Sequence, residues 1–119
     1  MRKLLLGLSV IFLSSNLFAQ SYVSPINFVD TEANKQAVIA FINKQVKDDY
    51  SAIGMDDAST LRMMEEENLR AFKELTKASN ISLLKEVTKT YCDIGMCNYS
   101  TILMMYDDQE KASKESLKW

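Results

Sequence analysis

A chain of 119 residues with 14 basic and 16 acidic side chains has room for one small domain and offers no basic stripe for nucleic acid. Its complete lack of histidine removes the commonest general base and metal ligand, and its two cysteines, Cys92 and Cys97, leave few ways to build a metal centre.

Residues 1–19 read as a signal peptide. Arg2 and Lys3 supply the charged start, Leu4 to Leu13 is a short apolar run, and Leu17-Phe18-Ala19 forms a cleavage segment ahead of Gln20. The apolar run is shorter than the roughly 20 residues that a bilayer span requires. No cysteine follows it to carry a lipid anchor. The chain is therefore expected to be exported, most simply to a bacterial periplasm, without stable membrane insertion once the leader is removed. Without Arg2 and Lys3 the basic count falls to 12 against 16 acidic residues, a formal charge of −4.

Residues 20–30, with the only proline at Pro25, show no helical period and are expected to form an extended lead-in to a single helical domain over 31–119. Asp30 or Thr31 is the expected cap of a first helix, 32–50, whose apolar stripe is Val38, Ile39, Ile42, Val46 and Tyr50. Gly54 is placed to close it in the left-handed conformation. Asp56 or Asp57 then caps a second helix, 57–77, with Leu61, Met64, Phe72 and Leu75 inward and Glu65, Glu66 and Glu67 on a solvated face. Glu66 has the i,i+4 spacing to pair with Arg70. Ser79 or Asn80 begins a third helix, 80–92, carrying Leu83, Leu84, Val87 and Tyr91. A fourth, 98–116, opens near Asn98 and carries Ile102, Met105, Tyr106 and Ala112.

Two stretches of this chain are copies of each other. Tyr50 to Met64 and Tyr91 to Met105 match without a gap at Tyr50/Tyr91, Ile53/Ile94, Gly54/Gly95, Met55/Met96, Ser59/Ser100, Thr60/Thr101, Met63/Met104 and Met64/Met105. Chance supplies about one match in fifteen positions, so an internal duplication is expected. The repeats run over about 31–77 and 78–119. Two consecutive helical hairpins predict an all-α, up-down-up-down four-helix bundle with both Ile-Gly-Met turns at one end. That end also gathers Tyr50, Tyr91, Asp48, Asp49, Asp56, Asp57 and Asp93.

Cys92 and Cys97 in an exported chain are expected to form a disulfide, and C-x4-C differs from the redox-active C-x-x-C spacing. Apart from the initiator, all six methionines fall in the duplicated stretches. Met63, Met64, Met104 and Met105 could hold Cu(I) through soft thioether sulfurs, although methionine at helical spacing commonly fills a core. A small hydrolase is a weaker alternative. Ser59-Thr60 and Ser100-Thr101 recur without a histidine to activate them, and are expected to hydrogen-bond amides of the first helical turn. No catalytic residue and no cofactor is expected.

The reading that remains is a small exported binding module without enzymatic activity. Tyr50, Met55, Asp56, Asp57, Tyr91, Asp93 and Met96 are its candidate contact residues, because tyrosine and methionine favour interface cores and an acidic rim favours a basic protein partner. In size and class the profile looks like that of periplasmic immunity proteins against secreted toxins, which implies an inhibitor-like role and no residue assignments.

Overall fold

Residues 21–119 are described by a computed structural model, and the expected signal peptide lies outside them. The described residues form four α-helices and no strand: α1 (Glu32–Ser51), α2 (Ala58–Leu75), α3 (Ile81–Asp93) and α4 (Tyr99–Ser113). No helix among them is long and apolar enough to cross a membrane.

Each helix opens on a side chain that accepts an amide from its own first turn. Thr31 accepts from Asn34, Asp57 from Thr60, Asn80 from Leu83 and Asn98 from Thr101. Each such bond satisfies one of the amides that a helix start leaves without an internal partner. The cap oxygens therefore come from Asp57 and Asn98, not from the recurring serine and threonine hydroxyls. α4 ends at Ser113 instead of running to residue 116, and Ala112 is exposed there instead of lying on the core face. Arg70 pairs with Glu67 at 2.6 Å, since the three-residue step brings that carboxylate alongside the guanidinium, and Glu66 stays exposed.

The core is built from Val38, Ile42 and Val46 of α1, Ala71, Phe72 and Leu75 of α2, Leu84 and Val87 of α3, and Tyr99, Ile102 and Tyr106 of α4. Steps of three and four place each set on one helix face, as burial against a neighbour requires. α1 packs on α2, α2 on α4, and α4 on α3. α2 and α4 thus meet in the middle of the bundle, with α1 and α3 outside.

The lead-in is part of the core and not a spacer. Pro25 is buried, and Tyr22, Val23, Ile26 and Phe28 pack against the core residues. An extended segment cannot satisfy its own backbone, so its polar groups need partners elsewhere. Tyr99 supplies both for Val23: its hydroxyl donates to the Val23 carbonyl at 2.6 Å and accepts from the Val23 amide at 3.3 Å. Its ring meets those of Tyr22, Phe41 and Phe72 at centroid distances of 5.3, 5.5 and 4.9 Å.

Two polar side chains tie the helices together. Asn68 of α2 is buried, donates to the Met64 carbonyl at 3.0 Å and accepts the Ser100 amide at 3.1 Å. The start of α4 is thereby capped twice, by its own Asn98 and by α2. Tyr106 accepts the Asn80 amide at 3.0 Å, fixing α4 to the start of α3.

Candidate functional site

The two Ile-Gly-Met turns have the same backbone hydrogen bonds. In the first, the amides of Ile53 and Met55 donate to the Tyr50 carbonyl at 3.3 and 2.8 Å, and that of Gly54 to the Ser51 carbonyl at 3.1 Å. In the second, Ile94 and Met96 donate to the Tyr91 carbonyl at 3.3 and 2.8 Å, and Gly95 to the Cys92 carbonyl at 3.1 Å. Gly54 and Gly95 have φ of 74° and 81°, the left-handed region that costs other residues a clash of Cβ with backbone. A Cβ at either position would meet no other part of the molecule, so the demand for glycine is conformational alone.

The base of each turn is fastened differently. Cys92 and Cys97 lie at disulfide distance, with their sulfurs 1.93 Å apart. At the equivalent places in the first turn, the Ser51 hydroxyl donates to the Asp56 carboxylate at 3.3 Å. A hydrogen bond thus stands in one turn where a covalent bond stands in the other.

Above these bases the apolar side chains point outward. Ile53 is 63 % and Met55 48 % exposed, Ile94 64 % and Met96 44 %. The sequence expectation named the two methionines and left out the isoleucines, which are the more exposed pair; their recurrence beside each glycine was the signal. Tyr50 and Tyr91 are half-buried and pack against the core, so their main contribution is the carbonyl that anchors each turn.

The expected aspartates are exposed, and several have defined partners. Asp57 is engaged as the α2 cap, and the Thr60 amide holds its carboxyl below the usual aspartate value. Asp93 pairs with Lys89 at 2.8 Å, which raises the lysine above its ordinary value through the hydrogen bond and the opposite charge. Asp48 pairs with Lys44 at 2.8 Å, and Asp49 accepts from the Gln45 amide at 3.2 Å. Asp49, Asp56 and Asp57 have no cationic partner among the described residues.

The later part of α1 lies beside the second turn. Gly95 and Cys97 share a shallow hollow with Phe41, Gln45, Asp48 and Asp49, and α1 runs directly on into the first turn. Tyr50 lines a small polar cavity of about 140 Å³ with Asp49, Asn68, Asn98 and Ser100. This cavity's amide and carboxamide groups are largely engaged with one another.

The methionines divide by helical angle. Met63 and Met104 are 60 % and 61 % exposed, while Met64 and Met105 pack against the core. Adjacent helical residues point about 100° apart, so each pair splits between solvent and interior. Met64 lines the polar cavity, whereas Met104 and Met105 border a separate hollow with Asp107, Asp108 and Lys111. Neither space gathers methionines from both α2 and α4. Among the described residues no group of three or more histidines, cysteines, aspartates or glutamates is placed to hold a metal ion.

No protein-family model, curated protein or solved structure matches this chain.

Proposed function

We propose that this protein is an exported, non-enzymatic binding module that engages a protein partner through the end bearing the two Ile-Gly-Met turns. One observation carries the reading: four large apolar side chains, Ile53, Met55, Ile94 and Met96, are held exposed on two turns with the same hydrogen bonds. A small domain gains stability by burying such groups, so their exposure on fixed turns favours recognition. Asp49, Asp56 and Asp57 around them favour a partner with a basic rim and an apolar pocket, in the manner of an inhibitor or immunity protein. The matching turns and the packing of α2 on α4 support an origin by duplication of one helical hairpin, in an up-down-up-down arrangement.

Affinity capture with the tagged, exported protein from an envelope extract tests this, with metal analysis of the same sample. A stoichiometric basic protein is expected, lost when Ile53, Met55, Ile94 and Met96 are changed to serine while helicity is unchanged. Capture that survives those changes but fails after changes on the helix faces would place the site elsewhere. Copper retained through purification, and lost on Met63→Leu with Met104→Leu, would replace the binding module with a soft-metal carrier.

A further inference from the structure

The outward face of the α1–α2 hairpin carries two adjoining hollows, of about 300 and 570 Å³, that share Ile39 and Leu69. Ile39 belongs to the expected core stripe, yet it is 37 % exposed. Among the described residues α1 packs on one helix only, and its apolar stripe is wider than α2 covers. Phe28 and Phe72 line the larger hollow, so its centre is apolar.

The charges at the two ends of this groove are opposite. Glu66, Leu69 and Lys73 follow one another on α2 at steps of three and four, forming one stripe along it. Glu66 lies at the smaller hollow and Lys73 at the larger. Neither belongs to an ion pair among the described residues, whereas Glu65 is paired with Arg62 and Lys35 with Asp30 and Glu32.

We propose that this face is the interface of a two-fold symmetric dimer of the chain. An axis passing near Ile39 and Leu69 lays the apolar centre of one copy on that of the other. It also sets Glu66 of each copy opposite Lys73 of the second copy, twice over. An isologous contact requires such self-complementarity, and an apolar centre with a charged rim is the usual anatomy of an interface. A foreign apolar ridge would fit the hollows, but the reversal of sign along a single stripe selects a second copy. No residue of the Ile-Gly-Met turns lines this groove, so dimer formation leaves the proposed partner site free.

Sedimentation velocity of the purified, exported protein across micromolar to millimolar concentrations is the test. The dimer fraction should rise with concentration. Glu66→Lys and Lys73→Glu should each weaken the dimer by at least about tenfold, because each sets like charges face to face. The double exchange restores opposite charges and should return the affinity to within about threefold of the original. Ile39→Asp should give a monomer with unchanged helicity. A protein that stays monomeric over the whole range overturns the proposal, as does a double exchange no better than the worse single one.

Discussion

Removing one oxygen from Tyr99 would leave the Val23 amide and carbonyl without their partner at a largely buried site. Tyr99→Phe is therefore expected to cost about 2 kcal/mol, read as a lower urea midpoint at unchanged slope. Tyr22 is the opposite case. Its hydroxyl is buried without a well-aligned partner, although the Thr88 side chain lies near enough to act weakly on it. Tyr22→Phe should leave stability unchanged or raise it slightly. Burial raises the ionisation of both tyrosines above the ordinary value of 10.0, and at Tyr99 the neighbouring Tyr22 adds to the effect. The folded state then holds protons that the unfolded state releases, so their contribution is complete below the ordinary tyrosine value and is lost as pH rises above it. With no histidine and no free thiol, stability should be nearly flat from about pH 6 to pH 9 and fall beyond about pH 10, less steeply in Tyr99→Phe. Tyr99 was legible in part, standing three and seven residues before Ile102 and Tyr106 on one stripe. The match between the two stretches obscured it, because the position in the first that corresponds to Tyr99 is Ala58.

At the scale of elements, the four helices follow from periodicity and capping chemistry, since burial of one face and satisfaction of the first amides are both local in sequence. The lead-in was not legible as core, because an extended segment shows no period and its partner, Tyr99, is remote. Its density of Tyr22, Val23, Pro25, Ile26 and Phe28 was the available sign. Asn68 was missed for a related reason: a polar residue reads as surface until the helix start that it caps is known. The two turns allow a direct exchange. Cys92→Ser with Cys97→Asp rebuilds the first turn's fastening in the second, and should cost about 2 kcal/mol from the chain entropy returned to the unfolded state. The Met96 amide should keep its protection from hydrogen exchange, since its bond to the Tyr91 carbonyl does not depend on the sulfurs. Asn98→Ala should cost about 1 kcal/mol in urea unfolding through loss of the α4 cap.

For the whole molecule, helix number and the pairing within each hairpin follow from short connections, while the meeting of α2 with α4 depends on side chains far apart in sequence, such as Phe72 and Tyr99. The clasp between Val23 and Tyr99 closes across 76 positions, and this has a consequence in time. A ribosome adding about 5–20 residues per second makes Tyr99 roughly 4 to 15 seconds after Val23. Throughout that interval α1 and α2 can form and the lead-in can touch Phe41 and Phe72, but Val23 lacks its hydroxyl partner and the rings of Tyr22 and Phe72 lack the one that completes their cluster. A released fragment ending just before residue 99 should therefore be cut by protease in the lead-in, and the chain that includes α4 should resist. Until its last helix is made, the chain stays open at Tyr22 to Phe28, where a chaperone would take hold of it.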